Sequence, residues 1–377
     1  MDDPGHLALG TWSGGRFMHF GEPLDDARLE ALLRPDAAIP AVITADTYGT
    51  GEADRVLGRA LAGTTRDDVW IAGAVGHDFY EGEREGAKGF PRFTDARLRG
   101  PEAWADYLRA AAERSLERIG IDRFDLLMLH NPDRSGYHDP RVWEGMAALK
   151  AAGLTDAIGV APGPANGFTL DLLACLERFG ELLDWAMVIL NPMEPWPGEY
   201  VLPAAAAADV KVITRVVDYG GIFWDDVRPG HPFRDFDHRK FRPEGWIDRG
   251  VERLEEMRAI ADRHGLTPIQ LASQWNLAHP AVEMVVPTLI QEAGPDARPV
   301  EDKRAELAAT PREVVLSAEE ILALRTIGDN AGCMALKGAN PDQAEVLTDR
   351  WPVDEDLAAA GERWGVVAER DLRHLHA

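Results

Sequence analysis

The sequence is short of cysteine, of long apolar runs and of basic charge, and each shortage narrows what the protein can be. Its two cysteines, Cys175 and Cys333, stand far apart and suggest no disulfide framework. No run of about 18 consecutive apolar residues, the length needed to cross a bilayer, occurs. The opening residues MDDPGHLALG lack the basic-then-apolar pattern of an export signal. A soluble protein of a reducing, cytoplasmic compartment is therefore expected. Against 64 acidic residues stand only 40 Lys and Arg, a formal net charge of −24. Such a charge repels phosphate backbones and anionic membrane surfaces, so neither nucleic acid nor membrane is expected as a partner. A small-molecule substrate remains, and a homo-oligomer is compatible with all of this.

What the chain does have is apolar content, 45% of 377 residues, enough for a large core. Length alone would suggest two or three domains, but a single α/β barrel commonly takes ~250 residues. Short apolar runs alternate with helix-like segments. The runs are His6–Thr11, Ala41–Ala45, Val69–Val75, Phe124–Leu129, Thr155–Ala161, Trp185–Leu190, Val210–Val217 and Val282–Pro287. Helices are expected over Leu24–Leu33, Glu52–Ala62, Pro101–Gly120, Arg141–Ala152 and Thr267–Leu277. This alternation predicts a parallel sheet closed into a (β/α)8 TIM barrel, an α/β fold, over residues 1–327. A C-terminal extension, 328–377, is expected to pack on or over the barrel. The long loop Gly76–Gly100 is of a length that is usually functional.

In such a barrel the chemistry gathers where strands end at their carboxyl side. The polar residues just beyond the runs are Asp46 and Tyr48; His77 and Asp78; His130 and Asn131; Asn191, Glu194 and Trp196; and Arg215, Asp218 and Tyr219. Tyr48 and His130 are the candidate catalytic pair, because both stand where a strand gives way to a loop and could reach one substrate atom. His77, Trp12, Asn191, Glu194, Trp196, Arg215 and Asp218 are candidates for binding the substrate.

Five stretches then carry a family resemblance: LALGTW, ADTYGTGEADRVLGRAL, ERSLERIGIDRFDLLMLHNPD, LKAAGLTDAIGV and HGLTPIQLASQWNLAHPAVEMVVP. Together they resemble the aldo-keto reductase superfamily over roughly Leu7 to Leu324. The resemblance implies a barrel whose usual members bind NADPH and reduce aldehydes or ketones with a tyrosine acid, a lysine and aspartate that pair beside it, and a histidine that orients the carbonyl. Tyr48 matches the tyrosine and His130 the histidine. The aspartate position is Ile43 and the lysine position is Ala74. Losing one partner would leave a buried unpaired charge costing ~3–5 kcal/mol, whereas losing both leaves an apolar wall.

The cofactor positions depart in the same direction. The Ser-Asn pair that holds the nicotinamide amide is replaced within Val160-Ala161-Pro162, and the stacking aromatic of the seventh strand by Arg215. Contacts to the adenosine 2′-phosphate have no clear match, leaving Arg215, Lys303 and Arg304 as the candidate cofactor contacts. The leading expectation is thus an enzyme that needs no cofactor and does general acid/base chemistry, an elimination, dehydration or isomerisation, on a hydroxy-carbonyl or sugar-like compound, with His130 as the natural base. The alternative is an NADP-linked oxidoreductase in which Arg215 stands in for the lysine, and a further one is a barrel that binds without catalysis. His231, Asp235, Asp237 and His238 in HPFRDFDHRKF match no metal-ligand spacing, so no metal is expected. Ser317-Ala318-Glu319-Glu320 has the form of a capping box opening a helix, and another helix is expected over Asp354–Arg363. The segment around them is a candidate lid.

Overall fold

Successive residues of each strand face two different apolar layers, and this alternation builds the fold. In the second strand Ala41 and Ile43 join one buried cluster and Val42 the other; in the third, Trp70, Ala72 and Ala74 face Ile71 and Val75 across the sheet. The smaller cluster is the barrel lumen, and the larger lies between strands and helices. A computed structural model describes residues 4–85, 89–163, 168–295, 297–328 and 353–372. Its strands are β1 (Ala8–Gly10), β2 (Ala41–Ile43), β3 (Trp70–Val75), β4 (Phe124–His130), β5 (Thr155–Ala161), β6 (Trp185–Ile189), β7 (Lys211–Arg215) and β8 (Val282–Val286). All pair in parallel in chain order. Closure comes from a bridge between Leu7 and Val285, whose amide donates to the His6 carbonyl at 3.0 Å. The (β/α)8 barrel expected from the alternation is the fold found. At its amino end the lumen is plugged by Trp70 and Trp185, ring centroids 5.6 Å apart.

The helices stand near the expected positions: Asp26–Leu33, Glu52–Ala60, Trp104–Ile119, Pro140–Ala151 and Pro268–Leu277. Local chemistry sets their starts. Asp25 and Asp139 each accept a backbone N–H of the first turn, and Gln270 accepts the Thr267 amide in front of Pro268. The helix Ala318–Gly328 opens as expected, with Ser317 and Glu320 exchanging side-chain and backbone bonds at 2.9 and 3.3 Å. Strand β7 is shorter than its apolar run because Val216 turns into the left-handed region at φ 59°. Among the described residues no helix is long and apolar enough to cross a membrane.

Of the C-terminal extension, the residues 329–352, with Cys333 among them, lie outside the described residues. The helix Glu355–Arg363 packs along the helix Thr169–Phe179, where Gly361 meets Leu170, and Arg363 and the Trp364 indole both hold Glu177. The Asp371 carbonyl accepts the Trp196 indole N–H from the rim.

Candidate active site

The turn after β2 delivers Tyr48 to the barrel mouth. Its backbone N–H closes on the Ala45 carbonyl at 3.0 Å, and Gly49 continues the turn at φ 58°, with its α-carbon against the Phe17 ring. His130 is the last residue of β4 and meets the Tyr48 ring edge-on at 5.7 Å between centroids. Trp12 flanks the tyrosine at 6.4 Å and His77 flanks the histidine at 5.0 Å. Four residues from four different strand ends thus form one contiguous surface. Beneath them lie Ile43 and Ala74, both in the lumen cluster, so the two positions that lack charge form the apolar floor of the mouth.

Electrostatics assigns the pair its protonation. Burial lowers the His130 pKa to about 3, with the charges of Arg92 and Arg215 adding to the effect, and its Nδ1 is buried without a hydrogen-bond partner. The expectation that His130 is the natural base is corrected by this shift: at neutral pH it is a weakly basic, neutral imidazole able to donate. Burial also raises the Tyr48 phenol above 10, while the Arg215 guanidinium pulls it back down. His77 is neutral as well, driven well below 6.5 by burial and by Arg92. Asn131 donates to its Nε2 at 3.0 Å, so its proton sits on Nδ1 and points to the Phe90 carbonyl at 3.2 Å. His77 is thereby tied to the loop after β3 and to Asn131.

Arg215 closes β7 and reaches across to the Pro162 carbonyl beyond β5, at 3.0 Å. The residue after it, Val216, is a β-branched side chain at positive φ, a strained conformation whose carbonyl is tied by Asn191 at 3.0 Å. Strain of this kind persists only where surrounding contacts enforce it, and the Asn191 bond is one such contact. Behind Tyr48, Asp46 is fully buried with neither carboxyl oxygen hydrogen-bonded, and burial together with the nearby Asp54 carboxylate raises its pKa well above 3.8. Asp54 itself is engaged by Thr44, Ser115 and Arg118.

Several candidates also have partners within the fold. Asn191 accepts the Met193 N–H, donates to the Val216 carbonyl and so builds the turn after β6. Asp218 accepts the amides of Thr288 and Gly221, joining the loops after β7 and β8. Trp196 binds the tail as described. Glu194 is 2% exposed, pairs with Arg242 at 3.4 Å and interacts electrostatically with Arg215, which keeps it in the neighbourhood of the pair. Lys303 is fully buried, bonded to Asp226 at 2.6 Å and to the Ile290 carbonyl at 2.7 Å, and Arg304 holds Asp36 and two carbonyls near the helix Asp26–Leu33. As a cofactor contact Lys303 is therefore corrected, its charge being buried away from any phosphate, while Arg304 is engaged by a partly exposed pair. His231 and Asp237 belong to a buried ion network in which Arg239 holds Asp237 and Glu292, and His231 bonds Glu292 at 2.9 Å. No group of three His, Cys, Asp or Glu side chains suited to a metal occurs among the described residues.

Arg92 was not foreseen. It lies in the loop after β3, bridges back to His77 and donates to the Asn131 carbonyl. No periodicity marks such a residue, whose place depends on the loop folding over β4.

Known proteins resemble this chain over most of its length. The family described as aldo/keto reductase matches residues 6–293. An aldo-keto reductase of Mycolicibacterium smegmatis is 28% identical over 255 residues, covering 65% of this chain and 76% of that protein. The glycerol dehydrogenase structure from Gluconobacter oxydans superposes with a TM-score of 0.62 at 22% identity, covering 91% of this chain and 95% of that one. An aldo/keto reductase from Klebsiella pneumoniae in complex with NADP and acetate gives 0.56 at 22% identity, covering 85% and 90%.

Proposed function

The chain belongs to the aldo/keto reductase family, and from that premise we propose that it is an enzyme in which the barrel mouth has given up hydride transfer for proton-transfer chemistry on a small hydroxy-carbonyl compound. One observation carries the reading. Arg215 and Pro162, which stand where the family holds the nicotinamide ring and its amide, are hydrogen-bonded directly to each other at 3.0 Å. Among the described residues, the other candidate positions do not fit a dinucleotide either. Ala161 and Pro162 offer no side-chain donor, and Lys303 and Arg304 are engaged by Asp226 and Asp36.

In this reading Tyr48 and neutral His130 donate to the substrate carbonyl oxygen, and the Arg215 charge stabilises the oxyanion that forms when the neighbouring carbon loses its proton. Glu194, coupled electrostatically to Arg215, takes that proton. Return of a proton at another position isomerises the compound; departure of a neighbouring hydroxyl, assisted by Tyr48, dehydrates it. The apolar floor of Ile43 and Ala74 keeps water from competing for the oxyanion.

The redox alternative has one observation in its favour, the pull of Arg215 on the Tyr48 phenol, which resembles the service of the missing lysine. Proton exchange separates the two. Incubated in D2O with neutral and acidic hydroxy-carbonyl compounds and no added dinucleotide, the protein is expected to place deuterium on the carbon next to the carbonyl. Tyr48→Phe and His130→Ala should each slow this by roughly 10²-fold or more. Turnover that begins only on adding NADPH or NADH, with no exchange before it, would refute the proposal.

A further inference from the structure

We propose that the substrate of this mouth carries a carboxylate, and that Arg215 is the group that binds it. The inference rests on the reading of the mouth as a substrate site, and it concerns a charge whose partner in the structure is a carbonyl rather than a carboxylate.

Several other largely buried guanidinia among the described residues have a carboxylate. Arg239 has Asp237 and Glu292, Arg118 has Asp54, Arg99 has Asp78 and Glu81, and Arg242 has Glu194. Arg215 has only the Pro162 carbonyl: among the described residues no carboxylate oxygen comes within 4.0 Å of it. Glu194 acts on it through space while forming its own pair with Arg242. A desolvated cation left in this state is costly, and proteins hold such groups where a ligand supplies the counter-charge. The side chain is already held by the Pro162 bond, so less ordering remains to be done when the anion arrives.

The fork of the guanidinium keeps N–H donors beyond the one on Pro162, and two parallel N–H···O bonds match the planar oxygens of a carboxylate. Tyr48 and His130 stand beside it for an adjoining carbonyl or hydroxyl. The ligand class is therefore a 2-oxo or 2-hydroxy acid, or a sugar acid of the same local pattern. A phosphate is disfavoured, since a dianion meets one guanidinium against a chain of net charge −24.

Calorimetric titration of the full chain with matched pairs tests this: D-glucuronate against D-glucose, pyruvate against hydroxyacetone, with inorganic phosphate and NADPH in parallel. The acid of at least one pair is expected to bind at least tenfold more tightly than its neutral counterpart. That preference should fall roughly 10- to 100-fold in Arg215→Met and in part in Arg215→Lys, which keeps the charge without the fork. Arg215→Met should melt no lower than the parent, because it removes an unpaired buried charge, and this separates lost binding from lost folding. Equal binding of acid and neutral compounds, a preference unchanged in Arg215→Met, or Arg215-dependent binding of phosphate in place of carboxylates would overturn the inference. NADPH reports on the underlying reading instead: if it binds while the acid preference persists, the non-redox reading falls and the carboxylate site stands. If neither acid nor NADPH binds, the carboxylate site falls alone.

Discussion

Tyr48 stands at the barrel mouth without the two charges that would make it a strong acid, and the lumen shows how their loss is accommodated. Ile43 and Ala74 join the same apolar cluster, so no charge is stranded. This much was legible residue by residue, because the family pattern fixes both positions against Tyr48. The protonation of His130 was not, since it depends on burial and on Arg92, a residue brought in by a loop. A pKa of about 3 has a kinetic consequence: no ionisation of His130 should shape a rate profile between pH 5 and 8, and its imidazole NMR signals should stay constant over that range. It also has a stability consequence. Between pH 6.5 and about 3 the unfolded chain binds the proton that native His130 refuses, so this contribution is present above 6.5 and lost as pH falls, by up to ~1.4 kcal/mol per unit. Asp46 works in the opposite sense. Its raised pKa means that the native carboxyl keeps a proton that the unfolded chain releases above 3.8, so its contribution declines as pH rises. Asp46→Asn should therefore gain in melting temperature relative to the parent between pH 5 and pH 8. An equal difference at both values would show that Asp46 is ionised in the native state.

At the scale of elements, the eight strands were readable from apolar runs bounded by turn residues, and their ends were less so. β7 stops at Arg215 because the backbone reverses at Val216, although the apolar pattern runs on to Val217. A period-two pattern carries no sign of that reversal. The five-residue helix Arg134–His138 was also unseen, being too short to show a helical period. The loops after β7 and β8 hold each other through Arg239, Asp237 and Glu292, and partners from opposite ends of a long stretch of chain cannot be matched by spacing. The Glu292 pKa falls to about 2: burial opposes the shift, and bonds from His231 and Arg239 outweigh it. Its contribution is present above 4.5 and lost as pH falls towards 2. Glu292→Gln should cost ~3–5 kcal/mol in urea unfolding at pH 7, because it leaves Arg239 buried with half its counter-charge. A loss under about 1 kcal/mol would mean that the network is not a clamp.

For the whole molecule, the family scaffold is retained, and residues at its mouth depart from the family pattern. The stretches that carry the resemblance build strands, helices and the Tyr48 turn, and they are intact. The positions that depart gather on one face of the lumen and at the ends of β5 and β7. The tail joins the outside of the barrel to its rim, through Glu177 and through the indole of Trp196. Whether this barrel works without a nicotinamide is decided by calorimetric titration of the purified full chain with NADPH and with NADH. The account predicts no saturable binding of either up to millimolar concentration, in the parent and in Tyr48→Phe alike. Micromolar binding followed by hydride transfer to a carbonyl compound would contradict it.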